Sequence, residues 1–276
     1  MLISFGPTTI NFIVDKESNN YIVNTYSNFI LNASFSQNTF DFTIKIKVIH
    51  SPRFNRESYS SFQDKHIIIY KILNDEYVDI EIDYENNISM IYLLSPLSDL
   101  RNSNSLEYCI RLSLLRLYLE KNMFLLHSAG VMFENKIFIF SGESGAGKTT
   151  TAKNFISAKN GIILNDDTML IETHDSKCSY AYSVPYKSTS DLIPTNGMGE
   201  INTVFIIEKS NYTRVENLSL QNKLEFLLCN AFFLGFQIKH YENLYKLLLS
   251  NINRFIKNTT ICKLLLENNS LFVNYI

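Results

Sequence analysis

"SGESGAGKTT", residues 141–150, follows the apolar run "KIFIF" and precedes "TAKNFI", whose apolar residues recur at helical spacing. From Gly142 to Thr149 it fits the pattern G-x-x-x-x-G-K-[ST], set between a predicted strand and a predicted helix as that pattern requires. Gly142, Gly145 and Gly147 permit backbone conformations in which successive N–H groups, from Glu143 through Ser144 and Ala146 to Lys148, converge on one anion. The helix that follows adds the positive end of its dipole. In such a cradle Lys148 reaches the β- and γ-oxygens of a nucleoside triphosphate, and Thr149, with Thr150 beside it, offers a hydroxyl to Mg²⁺.

Composition bounds the rest. The chain has 276 residues, room for one large domain or a small domain joined to a larger one. Its 25 basic and 27 acidic residues leave a net charge of −2, so neither nucleic acid nor an acidic membrane is an obligatory partner. Cys109, Cys178, Cys229 and Cys262 are scattered without a C-x-x-C pair, which argues against a zinc site or a disulfide framework. The start "MLISFGPTTINFIVDK" lacks a basic region followed by a long apolar block, and no apolar run approaches a membrane span. A cytoplasmic location is the expectation.

Residues 1–102 read as a β-rich region. "TINFIVD", "NYIVNTY", "FDFTIKIKVIH", "KHIIIYKI" and "YVDIEIDYENNISMIYLL" alternate apolar and polar residues and are predicted strands, while "SPRFNRESYSSFQDK" (51–65) reads as a polar loop. Residues 103–122 read as a helix, with Leu106, Ile110, Leu114 and Leu117 on one side. After it come a strand, a tight turn at "ENK" (134–136) and the strand entering the glycine-rich loop. Further on, "GIILNDD" (161–167) is a short buried strand ending in two acids, and "TMLIETHDSKCSYAYSV" a hairpin. "INTVFIIEK" and "CKLLLE" read as strands, "LQNKLEFLLCNAFF" and "YENLYKLLLSNINRFI" as helices.

Asp166 lies 18 positions after Lys148, one helix and one tight return, which predicts that "GIIL" runs next to the strand entering the loop. Asp166 and Asp167 then emerge beside the phosphates, one for Mg²⁺ and one to take a proton from an attacking hydroxyl. A GTPase would need D-x-x-G and N-K-x-D; the nearest string, "NKLE" (222–225), ends in Glu within a helical pattern. The signature of a transporter ATPase is missing too, which leaves a kinase.

"LLHSAGVMFENKIFIFSGESGAGKTTTAKNFI" followed by "GIILNDD" resembles the catalytic domain of the HPr kinase/phosphorylase family, a branch of the phosphoenolpyruvate-carboxykinase-like P-loop fold. The resemblance continues through "NGMGEINTVFIIEKSNYTRVENLS" and "NAFF" and covers roughly residues 105–276. It implies an α/β fold with a mixed sheet over 103–276, Asp166 as catalytic base, Asp167 as its neighbour at the metal or phosphate, and a role for His127 on the strand before the loop. Pro194 and Asn196 stand where the family carries an acidic and a basic residue, which weakens a reverse, phosphorolytic activity and HPr itself as substrate. The β-rich front is similar to that of relatives associated with peptide modification, and family members tend to be oligomers, so a homo-oligomer is a further implication.

Together these readings lead to an ATP- and Mg²⁺-dependent kinase acting on a serine of a peptide or protein, ribosomally made peptides included. Asp166, His127 and Lys148 are its catalytic candidates, residues 142–150 hold the nucleotide, and Thr149 and Asp167 hold the metal. A small-molecule kinase and a non-catalytic nucleotide-binding scaffold stay open as alternatives. "VPYKSTSDLIPTNGMG" (184–199), with Lys187, is the candidate segment to close over the acceptor.

Overall fold

In the computed structural model the described residues are 1–31, 40–49, 58–63, 66–73, 76–94, 101–175, 178–186, 192–232, 242–267 and 272. The fold is mixed α/β and separates into two compact units, Met1–Leu117 and Tyr118–Ile276. The sequence reading placed the break at 102/103, before the helix; the observed division falls inside it.

The first unit is built on a seven-stranded sheet. Its elements are β1 (Leu2–Phe5), β2 (Thr8–Val14), α1 (Lys16–Thr25), β3 (Phe42–Val48), β4 (Ser58–Gln63), β5 (His66–Leu73), β6 (Glu76–Asp83), β7 (Ile88–Leu93) and α2 (Arg101–Glu120). The strand order is β1-β2-β3-β7-β6-β5-β4, with β3 parallel to both β2 and β7 and the other pairs antiparallel. Helix α2 buries Leu106, Ile110 and Leu114. The Ser113 hydroxyl donates to the Ser89 hydroxyl on β7 at 2.9 Å, and the Tyr84 hydroxyl to the Leu112 carbonyl at 2.9 Å.

Two expectations fail in this unit. "NYIVNTY" is not a strand but most of α1. Asp15 caps that helix by accepting from the Ser18 amide at 2.7 Å, and Ser18, Ile22 and Tyr26, four residues apart, are all fully buried. That four-residue repeat outweighs the β-propensity of Ile22 and Val23. The second is the polar loop at 51–65, part of which is the edge strand β4, paired antiparallel with β5 from Ser58↔Lys71 to Gln63↔His66. Its serines hide the strand from a reading of hydrophobic alternation, while the backbone ladder of β5 still needs a partner.

The second unit holds an eight-stranded mixed sheet. It comprises β8 (Met123–Phe133), β9 (Lys136–Ser141), α3 (Lys148–Lys159), β10 (Ile162–Asn165), β11 (Thr168–Thr173), β12 (Ser179–Ser183), β13 (Met198–Lys209), β14 (Arg214–Asn217), α4 (Leu220–Asn230), α5 (Glu242–Asn258) and β15 (Thr260–Leu266). β9 and β8 form a hairpin whose turn places Glu134 and Asn135 at positive φ. β13 runs parallel to β9 on one side and to β15 on the other.

Helix α3 packs on one face of this sheet through Ala152 and Phe155, which join Ala129, Val131, Phe138, Phe140, Phe205 and Leu264 in one apolar cluster. Phe155 is its hub, with ring centroids 4.9 Å from Phe138, 5.7 Å from Phe140 and 6.1 Å from Phe133. Helix α5 buries Leu248, Ile252 and Phe255. Its Asn251 donates to the carbonyls of Leu119 and Met123, at 3.1 and 3.4 Å. Helix α4 stops at Asn230, short of the expected "NAFF" end. Ala231 turns extended and bridges Leu126, and the Phe232 amide donates to the Leu125 carbonyl at 2.9 Å. Among the described residues no helix is long and apolar enough to cross a membrane.

The expected pairing of "GIIL" with the strand entering the loop is also corrected. β10 pairs with β8, which lies between it and β9. β10 and β11 follow one another along β8 as antiparallel partners: the register shifts by one between Ile163 and Asn165, and from there Asn165 pairs with Gly130 and Thr168 with His127, so a single register spans the break. The long β8 is what makes this possible, since its second half accepts β9 on one edge and β10 on the other.

Candidate functional site

The glycine-rich loop runs from the end of β9 to Gly147, the N-cap of α3. Gly145 and Gly147 have φ of 78° and 100°, the left-handed region in which a side chain is strained. At Gly142 a Cβ would lie 2.9 Å from the Ile207 carbonyl oxygen and 3.0 Å from the Ala146 Cβ, so the loop is pressed against β13. Glu143, Ser144, Gly145 and Thr150 are exposed, Ala146, Gly147 and Thr149 half-buried, and Gly142 and Lys148 buried. The Ala146 amide donates to the Glu143 carbonyl at 3.0 Å, closing a turn inside the loop.

Lys148 Nζ donates to the carbonyls of Gly142 and Glu143 at 3.0 and 3.2 Å. Burial pushes its pKa below the ordinary lysine value, and the charge of Asp167 partly opposes that shift.

The break between β10 and β11 holds Asp166 and Asp167 opposite β8, with the Ser128 amide donating to the Asp167 carbonyl at 2.9 Å. Here the structure brings together His127 and Asp167: Nδ1 and Oδ1 are 3.6 Å apart, with the two side chains 44% and 23% exposed. The Asp167 carboxylate also accepts from the Thr168 hydroxyl at 2.9 Å, and the Ser141 hydroxyl at the end of β9 donates to the His127 carbonyl at 2.7 Å. Asp166 is placed differently, at 4% exposure. The neighbouring acids therefore occupy distinct environments, one inside and one at the surface beside the imidazole.

The sequence reading passed over Asn165, which shapes this bend. It is 2% exposed, its Oδ1 accepts from the amides of Asp167 and Thr168 at 2.8 and 3.0 Å, and its Nδ2 donates to the carbonyls of Val184 and Tyr186 at 2.9 and 3.2 Å. An Asn just before a pair of acids at a strand end was the available signal, since Asx side chains hold turns two and three residues on.

The same bonds alter the picture of residues 184–199. Val184 and Tyr186 are fully buried. The Thr195 amide donates to the Leu164 carbonyl and the Ser183 amide to the Gly197 carbonyl, both at 2.9 Å. Both described arms of the segment are thus tied to the strand carrying the acids; Lys187, with the rest of 187–191, lies outside the described residues.

The loop fits a nucleoside triphosphate: two glycines in the left-handed region, a third with no room for a Cβ, a helix N-terminus, and a buried lysine cation. For Mg²⁺ the described residues contain no group of three or more potential ligands. The half-buried Thr149 and the half-exposed Asp167 suit an ion that takes one or two protein oxygens and keeps phosphates and waters for the rest.

No family model matches the chain, and no curated protein matches it in sequence. Among solved structures it is similar to that of the Hpr(Ser) kinase/phosphatase from Coxiella burnetii, with 10% identity and a TM-score of 0.31, over 55% of this chain and 90% of that one. A likeness of that size fixes neither fold nor activity, so the functional reading stands on the geometry around the loop.

Proposed function

We propose that this chain is a kinase of the HPr-kinase-like, phosphoenolpyruvate-carboxykinase-like P-loop type, moving the γ-phosphoryl group of ATP to a hydroxyl, a serine of a peptide or protein. The observation that carries the proposal is the His127–Asp167 pair, joined to the start of the glycine-rich loop by the bond from the Ser141 hydroxyl to the His127 carbonyl, with Lys148 buried at the loop's other end. Phosphoryl transfer needs those groups: fixed positive charge at the phosphates, and a positioned carboxylate where the acceptor loses its proton.

Bound Mg²⁺ would neutralise phosphate charge, with Thr149 and a carboxylate of the acid pair holding it directly or through water. Lys148 turns its ammonium from the loop carbonyls toward the phosphate oxygens. The loop amides and the α3 N-terminus orient the triphosphate. Of the two acids, Asp167 is solvent-accessible and meets the imidazole, so it takes the acceptor proton, with His127 orienting its carboxylate. Asp166, expected as the base, is too buried, at 4% exposure, to meet an incoming hydroxyl.

The test is incubation of the purified chain with ATP, Mg²⁺ and a library of serine-containing peptides, read by mass spectrometry for phosphoserine. Phosphopeptides formed by the wild type and lost in Asp167→Asn support the proposal. ATP binding without transfer to any hydroxyl acceptor leaves a scaffold.

A further inference from the structure

β9 lies between β8, which carries His127, and β13, so the loop after β9 has two flanks. The flank of the acid pair is assigned to transfer. On the other, where the parallel strands β9 and β13 end together, a half-open cavity of about 450 Å³ is lined by the loop residues Glu143–Ala146, by Ile206–Lys209 at the end of β13, and by Phe226 of α4. Ligands of α/β sheets bind outside the carboxyl ends of parallel strands, and a cavity of this size suits a small molecule.

We propose that this cavity receives the nucleoside of the phosphate donor, with the base against Phe226 and the sugar hydroxyls toward Glu143 and Glu208. The inference rests on the phosphate-binding reading of the loop. The cavity shares Glu143–Ala146 with the cradle, so its occupant is continuous with the phosphates or competes with them. Its charged lining is balanced, Glu143 and Glu208 against Lys209 and the Lys263 paired with Glu208, so it gathers no positive charge for a polyanion, whereas sugar hydroxyls donate to carboxylates. Glu208 is oriented for this by its ion pair with Lys263. Phe226, half-buried, gives the lining an aromatic face, and Ile206, at 8% exposure, adds apolar surface, while Ile207 on the opposite face of β13 packs in the cluster under α3. The acceptor is excluded by position, because it must reach Asp167 on the β8 flank.

The experiment compares Mg²⁺-ATP with inorganic tripolyphosphate by calorimetry on the full chain, in the wild type, Phe226→Ala and Phe226→Leu. The expected result is tighter binding of ATP than of tripolyphosphate by the wild type. Both variants then lose roughly tenfold or more in ATP affinity, the worth of one stacked base, with tripolyphosphate affinity unchanged. The Leu variant keeps apolar volume on α4, so a selective loss in it reports the ring rather than damage to the fold. Equal affinity of the wild type for the two ligands overturns the nucleoside pocket alone, as does unchanged ATP affinity in both variants. A raised KM for an acceptor peptide, with ATP affinity intact, overturns it and gives the cavity to the acceptor. Binding of neither ligand by the wild type overturns the phosphate loop itself, and this inference with it.

Discussion

His127 stands directly opposite Thr168 in the β8–β11 ladder, and that register position brings Asp167, one residue earlier, to 3.6 Å from the imidazole. The pair is thus set by backbone pairing that reaches along β8 into the hairpin feeding the loop. Changes to its members should be felt in the chemistry more than in the fold.

Replacing the carboxylates separately distinguishes them. Asp167→Asn keeps size and polarity but accepts no proton, and phosphoryl transfer should fall by about 10²–10⁴-fold while affinity for ATP in the absence of Mg²⁺ changes little. Asp166→Asn should cost transfer less, because Asp166 is only 4% exposed. Single-turnover rates on a verified acceptor peptide check the order; the reverse order returns the base role to Asp166.

Lys148→Met separates binding from stability. ATP affinity should fall roughly tenfold or more, the worth of charge-assisted bonds to phosphate. Because burial lowers the pKa of Lys148 in the folded chain, the unfolded chain binds more protons between that lowered value and the ordinary 10.5, and wild-type stability rises with pH across the window. The cost of the buried cation is in full force below it. The Met variant should therefore be at least as resistant to urea as the wild type near neutral pH, with its advantage narrowing as pH approaches 10.5. Urea titrations at two pH values decide this, and a variant less stable than the wild type at neutral pH contradicts it.

Gly142→Ala tests the fit of the loop against β13. The added methyl meets the Ile207 carbonyl oxygen at 2.9 Å, a backbone atom with little freedom to move. A destabilisation of about 1–3 kcal/mol and weaker ATP binding are expected together. Calorimetry showing intact affinity would mean the loop tolerates displacement and that close contact with β13 is not what shapes it.

Asn165→Ala removes a buried side chain that serves two amides and two carbonyls. The loss should be about 2–4 kcal/mol, since the abandoned groups stay away from water. Transfer should drop as well, through misplacement of Asp167. Denaturant unfolding and peptide phosphorylation measure the two effects, and loss of stability with full activity would confine Asn165 to holding the fold.

The loop from Gly142 to Thr149 was legible because its residue types are demanded by local backbone geometry, which a linear pattern records. The place of Asp166 and Asp167 just past a short strand was legible too, from the apolar run before them. What could not be read was register: nothing in "GIILNDD" says that β10 continues into β11, or that β8 stands between β10 and β9. The cavity at Phe226 was equally hidden, since Ile206–Lys209 and Phe226, 60 or more positions after Ala146, meet Glu143–Ala146 only in the folded sheet. Local propensity also misled at α1, where a capped, four-residue repeat of buried side chains overrode branched residues.

Past the one-residue shift inside β10, the alignment on β8 that starts at Asn165 and runs on through β11 acts as a ruler. A single residue added or removed between Asn165 and Thr168 would either break that alignment or turn every side chain of β11 to the opposite face, exchanging Met169 and Ile171 with Leu170 in packed surroundings. Side chains around the acids can vary within what the chemistry tolerates. The number of residues between the two strand halves cannot, so any working variant of this site should keep its length while its composition drifts.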